Sequence, residues 1–163
     1  MLKEKLAEFE KRILEEVKKF YGERLVSLVI FGSMGRGTYR PDSDFDLLLI
    51  VDKLPKGRMR RVTEFLEIEK KLEPMLISLR KEGIYTELSP ILKTPQEAEL
   101  GSPLFFDMIE DARLLYDQNG FFSRILNRLR QRLKELGARR IWKGDFWYWE
   151  LKPDYKPCEE FEI

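Results

Sequence analysis

The amino-acid sequence predicts an α/β protein. Three observations support this fold class: helical periodicity at both ends of the chain, two short apolar runs typical of strands, and a glycine-rich segment that separates those runs. With 163 residues, the chain is expected to form one domain (1–163). Its core is predicted over about residues 22–118, followed by a C-terminal helix and an aromatic tail over residues 119–163.

The first third of the chain predicts one helix and two strands. Over residues 2–20, apolar side chains recur at three- and four-residue spacing, which indicates an amphipathic helix ended by Gly22. Leu25–Phe31 is almost continuously apolar, as expected of a strand buried on both faces. Residues 32–44 contain three glycines and a proline, and the apolar run Phe45–Val51 then predicts a second strand.

The middle of the chain predicts a long helix and a third strand. Apolar residues from Met59 to Leu79 follow a helical spacing, and Pro74 is expected to break or kink this helix because proline has no backbone N–H. Residues 84–92 are predicted to form the third strand. Pro90 within it indicates a sheet edge or the end of regular pairing.

The last third predicts further helices and one more strand. Thr94-Pro95 and Ser102-Pro103 are typical helix starts, with a hydroxyl cap and a proline in the first turn. A short strand is predicted over residues 112–116, and a final helix over residues 122–136. The tail from residue 142 onward is expected to be ordered by packing of its aromatic rings rather than by regular structure.

The composition excludes several classes of functional site. The sequence has no histidine, which removes Ser-His-Asp and Cys-His catalysis and the commonest ligand of transition metals. Its one cysteine, Cys158, excludes an internal disulfide and Cys-based zinc or iron-sulfur sites. Carboxylates, hydroxyls, amines, backbone amides or hard metal ions must therefore supply any chemistry.

Charge and hydropathy indicate a soluble, cytoplasmic protein with no membrane partner. The formal net charge is +1, which does not suggest a generally basic nucleic-acid binder. Charged residues at the N-terminus are unlike a signal peptide, and the longest apolar stretch is too short to cross a bilayer. Few side-chain amides and dense, balanced charge resemble the composition of proteins from thermophiles.

The glycine-rich segment after the first predicted strand indicates a phosphate-binding site. Gly32 lets a ligand approach the backbone, and a helix starting there would direct unpaired amides outward. The Ser33 hydroxyl can donate to a phosphate oxygen, and Arg36 can add a charge contact. Taken alone, the Gly-Ser pair is often only a turn, and Arg36 could equally be a surface arginine.

Two carboxylates follow this segment at a spacing that favours metal binding. Asp44 and Asp46 are two residues apart at the second strand, so both project from one face while Phe45 points into the core. Two adjacent carboxylates repel each other unless a cation neutralises them, and oxygen ligands of this kind suit Mg²⁺. A phosphate site beside a magnesium site indicates nucleotide chemistry, whereas Asp-x-Asp alone is commonly a solvated strand end.

These motifs together resemble a known family. Gly32-Ser33, Arg36-Gly37 and Ser43-Asp44-x-Asp46-Leu47 are similar in type and spacing to the signature of the DNA polymerase beta nucleotidyltransferase superfamily, and most closely to its stand-alone minimal nucleotidyltransferases of prokaryotes. The resemblance covers residues 25–51 well and the C-terminal third hardly at all. It implies a small mixed sheet with helices packed on one side.

The resemblance also implies a reaction and its residues. An NTP, with ATP expected, would bind through Gly32, Ser33, Arg36, Gly37 and Ser43 with two Mg²⁺ ions on Asp44 and Asp46. A hydroxyl of a protein, RNA or small molecule would attack the α-phosphate and release pyrophosphate. A third carboxylate on a neighbouring strand would complete the metal site and orient or deprotonate the acceptor, and Glu87 is chosen for this role. The family usually has aspartate there.

Other interpretations of the same residues remain open. Ser43 can be a turn hydroxyl that supports the loop, and Glu87 an exposed strand residue. The basic residues between positions 121 and 144 could receive RNA or an acidic partner, or could be solvated or paired with acids of the same chain. The aromatic residues after them are interpreted as packing rather than as a base-stacking platform.

A partner-binding function is the alternative to catalysis. The chain could act as the antitoxin of a toxin-antitoxin pair and neutralise a helical partner protein, either by contact or by nucleotidylating it. Direct RNA modification is a third possibility, and it would require salt-sensitive RNA binding.

Overall fold

A computed structural model describes residues 1–144, 146–153, 160 and 162–163. Cys158 and Asp145 lie outside the described residues. The helices are α1 (Leu2–Tyr21), α2 (Gly32–Arg36), α3 (Arg58–Lys81), α4 (Pro95–Leu100), α5 (Leu104–Asp111) and α6 (Phe121–Leu136). The strands are β1 (Leu25–Phe31), β2 (Phe45–Val51), β3 (Leu88–Lys93), β4 (Arg113–Asp117), β5 (Arg139–Lys143) and β6 (Phe146–Glu150).

The main sheet is mixed and has the strand order β3-β2-β1-β4. β1 pairs antiparallel with both β2 and β4, whereas β2 pairs parallel with β3. β5 and β6 form a separate antiparallel hairpin. The predicted α/β class and the mixed sheet are therefore confirmed.

Helices cover both faces of this sheet, not one side as the family resemblance implied. Leu28 and Ile30 of β1 belong to a buried cluster with residues of α1 and α3. Val29 and Phe31 belong to a second buried cluster with residues of α4, α5 and α6. Because β1 is apolar on both faces, each face needs a covering layer to exclude water.

Helix α3 continues through Pro74, so of the two predicted outcomes the break is wrong, while the kink stays a prediction. Pro74 is exposed, whereas Leu72 and Leu79 are buried on either side of it along the chain. The carbonyl that loses its intrahelical donor at a proline can then be solvated, while core packing holds both parts of the helix.

Strand β3 is shorter than predicted and begins at Leu88 rather than at residue 84. Leu88 pairs with Phe45, the first residue of β2, so residues 84–87 have no strand beside them with which to form a ladder. Their burial still alternates, with Ile84 and Thr86 buried. Pro90 lies in an edge strand of the sheet, as predicted.

The C-terminal aromatic residues form a β-hairpin, which corrects the expectation of a tail without regular structure. Trp142 of β5 pairs with Trp147 of β6, and their ring centroids are 4.9 Å apart. Gly144 has a φ of 62° between the two strands. The aromatic rings do pack, and aromatic residues are also common in paired strands.

The other predicted elements agree with the structure to within one or two residues. Thr94 caps α4, because its hydroxyl accepts a hydrogen bond from the Glu97 N–H at 3.1 Å. Gly22 follows α1 and Gly137 follows α6, as predicted. None of the described helices combines the length and apolar composition needed to cross a bilayer.

Gly35→Ala is expected to lower the free energy of unfolding by roughly 1–3 kcal/mol. A Cβ at Gly35 of α2 would lie 2.3 Å from the backbone oxygen of Asp111, so α2 and α5 would have to separate. Alanine normally stabilises a helix relative to glycine by about 0.5–1 kcal/mol, so a loss of stability at Gly35 would be opposite to the usual effect of this substitution. Urea denaturation measures the change, and a variant more stable than wild type would contradict this packing.

Candidate active site

The register of β1 and β2 brings the start of α2 against Asp46. Phe31, the last residue of β1, lies opposite Asp46 in β2. Gly32 follows with a φ of 66°, and a Cβ built on it would lie 2.2 Å from Asp46 Oδ2. Only glycine therefore fits beside this carboxylate without moving it.

Asp44 and Asp46 flank Phe45, which is fully buried and packs edge-to-face on Phe9 of α1 at 5.3 Å. Asp44 is exposed and Asp46 is half-buried. Burial raises the pKa of Asp46 above its usual value, and the negative charge of Asp44 raises it further. Arg36 has the opposite, smaller effect on this pKa, so the two carboxylates and the guanidinium act on one another electrostatically.

The backbone of Glu87 lies beside these carboxylates. Its N–H donates a hydrogen bond to Asp44 Oδ1 at 3.1 Å, and its carbonyl accepts one from the Phe45 N–H at 2.9 Å. Its side chain is exposed and raises the pKa of Glu69 on α3, a smaller effect than the burial of Glu69. The structure thus brings the Glu87 backbone to the site, while the role of its carboxylate stays a prediction.

The other residues predicted to bind phosphate lie between β1 and β2, in α2 and in the loop that follows it. Ser33 lies in α2, and its carbonyl accepts a hydrogen bond from the Thr38 N–H at 3.1 Å. Gly37 ends α2 in a left-handed conformation with a φ of 77°. The Ser43 hydroxyl accepts a hydrogen bond from the Arg40 N–H at 2.8 Å, which is the loop-supporting role considered as its alternative.

Arg36 contacts residues far along the chain that sequence patterns did not connect with it. Its guanidinium carbon lies 4.5 Å from the ring centroid of Trp147, and its Nη1 lies 3.8 Å from Asp111 Oδ2. Arg140 binds the same Asp111 oxygen at 2.6 Å. No spacing in the sequence signals the contacts of Arg36, because Asp111 and Trp147 are both more than 70 residues from it along the chain.

The donor atoms at Asp44 and Asp46 suit a hard cation such as Mg²⁺. Both side chains supply carboxylate oxygens; burial, and then the charge of Asp44, raises the pKa of Asp46, and a bound cation would counter both effects by favouring the ionised carboxylate. Within the described ranges, no three His, Cys, Asp or Glu side chains are grouped as a metal site. The residues present therefore fit an ion that takes further ligands from substrate phosphates and water.

Several of the basic residues near the C-terminus pair with other groups of the same chain. Arg128 forms an ion pair with Glu99, and Arg139 with Glu150. Arg132 donates a hydrogen bond to the Glu162 carbonyl at 2.7 Å. These contacts support internal pairing over an open basic surface for RNA.

Asp46→Asn is expected to raise the thermal midpoint of the metal-free protein by a few degrees at neutral pH. Because the pKa of Asp46 is raised in the fold, its ionisation costs folding free energy. Wild type does not lose this free energy well below the ordinary pKa of aspartate, and it loses all of it above the raised pKa of Asp46. The higher thermal midpoint of Asp46→Asn should therefore disappear below about pH 4. Calorimetry in EDTA across this pH range measures it.

Asp42→Asn is the matched control for this measurement. Asp42 is exposed in the same loop and forms a surface ion pair with Arg40 at 3.5 Å. Such pairs contribute little to stability, so the midpoint of this variant should follow that of wild type at neutral pH. A midpoint for Asp46→Asn below that of wild type at neutral pH would contradict the predicted cost of charge at Asp46.

Solved structures with some likeness to the chain come from toxin-antitoxin pairs. One is a toxin-antitoxin crystal structure with AMP-PNP, with a TM-score of 0.47, 13% identity, and coverage of 78% of this chain and 92% of the other. Another is a mutant of the pair MntA-HpeT, with a TM-score of 0.49, 11% identity and the same coverage. Both TM-scores are below 0.5, where likeness alone does not establish a shared fold.

Comparison of sequences, unlike comparison of structures, shows the family of the chain. Residues 10–96 match the family model described as nucleotidyltransferase domain, and this range contains α2, β2 and both aspartates. A Methanocaldococcus jannaschii protein named as a protein adenylyltransferase, MJ1305, is 33% identical over 125 residues, which cover 76% of this chain and 80% of the relative. The chain therefore belongs to the nucleotidyltransferase domain family and is an enzyme.

Proposed function

We propose that this nucleotidyltransferase transfers AMP from ATP to a hydroxyl group of a protein, with Mg²⁺ held by Asp44 and Asp46. The observation that carries the proposal is the contact between the start of α2 and the Asp46 carboxylate, where a Cβ at Gly32 would lie 2.2 Å from Oδ2. The predicted phosphate-binding backbone and the predicted metal ligands are therefore adjacent.

The choice of AMP and of a protein acceptor rests on the relative from Methanocaldococcus jannaschii. That protein is named as a protein adenylyltransferase, and the match to it extends over 125 residues. A protein hydroxyl is also consistent with the exposed position of Asp44, because a macromolecular acceptor must reach the site from solvent.

In the proposed reaction, the acceptor oxygen attacks the α-phosphorus of ATP. The bond between this phosphorus and the oxygen that bridges to the β-phosphate breaks, and pyrophosphate leaves. Backbone amides at Gly32 and Ser33, the Ser33 hydroxyl and the Arg36 guanidinium bind and orient the phosphates, while Gly37 and Ser43 shape the loop. The Glu87 carboxylate orients the acceptor hydroxyl and receives its proton.

Asp44 and Asp46 would hold the two Mg²⁺ ions expected for this reaction, with Glu87 as the third carboxylate. When bound, the metal supplies positive charge that offsets the charge on the reacting phosphate oxygens. A chain without histidine can run this chemistry, since each assigned proton or metal contact uses a carboxylate.

Asp44→Asn and Asp46→Asn are each expected to lower transfer at least about 100-fold, because each removes a charged metal ligand. The assay incubates the protein with Mg²⁺, a cell extract and ATP labelled on the α-phosphate. Label should enter a protein product in the presence of wild type. ATP labelled on the γ-phosphate should give no more labelled protein than the extract alone, since in this reaction that phosphate leaves in pyrophosphate.

Asp42→Asn is again the matched control and should keep full transfer. Transfer that survives the double substitution at Asp44 and Asp46 would contradict the catalytic proposal. A helical partner protein bound equally by wild type and the double variant, with no label transferred to it, would instead favour the antitoxin-like alternative.

Glu87→Gln is expected to lower kcat by roughly 100-fold with little change in the KM for ATP. The amide keeps the size of the side chain but cannot accept the proton of the acceptor hydroxyl. Glu73→Gln, an exposed residue of α3, is the control and should behave as wild type. An unchanged kcat for Glu87→Gln would remove this residue from the proposed site.

A further inference from the structure

The β5–β6 hairpin contacts Arg36, the last residue of α2, through the ring of Trp147. The guanidinium carbon of Arg36 lies 4.5 Å from the ring centroid of Trp147, and the guanidinium carbon of Arg140 lies 4.3 Å from a ring centroid of the same residue. The hairpin lies outside residues 10–96, which match the family model. The shared family motif therefore assigns no role to Trp147.

The Trp147 ring is itself held in place. Its indole Nε1–H donates a hydrogen bond to Asp107 Oδ1 of α5 at 2.6 Å. On the hairpin side, Trp142 packs on it at 4.9 Å between ring centroids. A ring fixed by a hydrogen bond and by packing gives a defined surface for a stacked guanidinium.

Asp111 binds Arg140 more closely than Arg36. Arg140 Nη2 lies 2.6 Å from Asp111 Oδ2 and both side chains are largely buried, whereas Arg36 Nη1 lies 3.8 Å from the same oxygen. Arg140 also reaches Glu110 at 3.1 Å. Within the described part of the chain, no hydrogen bond from the Arg36 guanidinium is recorded, so its N–H groups are available to an anion.

Stacking and anion binding use different parts of a guanidinium. A ring contacts the face of the planar group, while phosphate oxygens bind the N–H groups at its edge. Trp147 can therefore fix the plane of Arg36 without occupying its donors. Arg36 is the last residue of the one-turn helix α2, whose first residue, Gly32, lies against the Asp46 carboxylate.

We propose that Trp147 is a positioning residue of the nucleotide site, which holds the Arg36 guanidinium ready for the phosphates of the bound nucleotide. This inference rests on the proposed function, because it takes Arg36 as a phosphate ligand. It makes the C-terminal hairpin a part of the nucleotide site.

Equilibrium binding of AMP-PNP and of tripolyphosphate, both with Mg²⁺, tests this role by calorimetry. Trp147→Ala should bind each probe about 5- to 30-fold more weakly than wild type, because loss of the stacked ring frees Arg36. Trp147→Phe keeps a ring beneath the guanidinium and should stay within about threefold of wild type. Tyr148→Ala, an exposed neighbour in β6, is the control and should bind as wild type does.

A double-mutant cycle separates positioning from a general structural effect. If Trp147 acts through Arg36, Arg36→Ala with Trp147→Ala should bind no more weakly than Arg36→Ala alone. Losses that add in the double variant, or a Trp147→Ala variant that binds both probes as wild type does, would overturn the inference. If the alanine variant fails to fold, Trp147→Leu takes its place, because leucine fills space but has no aromatic face; it should show the same weaker binding, and wild-type binding by Trp147→Leu would overturn the inference.

Failure of the proposed function would have a different signature. If wild type binds neither AMP-PNP nor tripolyphosphate, the nucleotide site itself is wrong. If wild type binds both probes and Trp147→Phe and Trp147→Ala both match it, the nucleotide site stands and only the positioning role is lost.

Discussion

Phe31 and Asp46 lie opposite each other in the antiparallel pair β1–β2, and the geometry of the site follows from this register. Side chains alternate along a strand, so the register that buries Leu47 with α1 and α3 also places Asp46 on the other face, beside Gly32. A slip of one residue would exchange the two faces and bury the carboxylate in the core. Apolar pairing between the strands, rather than attraction among the polar residues, therefore sets the distance between the loop and the carboxylates.

The parts of the fold that the sequence predicts best are those with one dominant local signal. β1 and β2 match their predicted bounds because each is apolar at six of its seven positions and has a clear break at its start or end. Pro74 does not break α3, because the hydrogen bond that proline removes lies on the exposed side of the helix and buried leucines hold both parts of the helix in place. The hairpin was missed because a run of aromatic residues is compatible with both irregular ring packing and strand pairing, and the sequence alone does not separate the two.

In the candidate site too, residues that are close in the sequence were predicted well, whereas contacts between distant segments were not. Gly32, Asp44 and Asp46 form a motif within 15 residues, so spacing alone predicts that they meet. Whether the Glu87 carboxylate joins them depends on where β3 begins, and that depends on the partner strand rather than on Glu87 itself. The contacts of Arg36 with Trp147 and Asp111 depend on how the C-terminal hairpin packs on α5. No pattern in a single sequence predicts that packing.

Pro90 has a consequence for the outer edge of the sheet. The Phe45 N–H donates to the Glu87 carbonyl, so the odd-numbered residues of β3 face β2 and the missing N–H of Pro90 faces outward. The next outward carbonyl, that of Leu92, accepts a hydrogen bond from Arg61 at 3.3 Å. A foreign strand approaching this edge would find one donor absent and one acceptor already occupied. The edge near Asp44 and Asp46 is thus protected against strand addition and the aggregation that can follow from it.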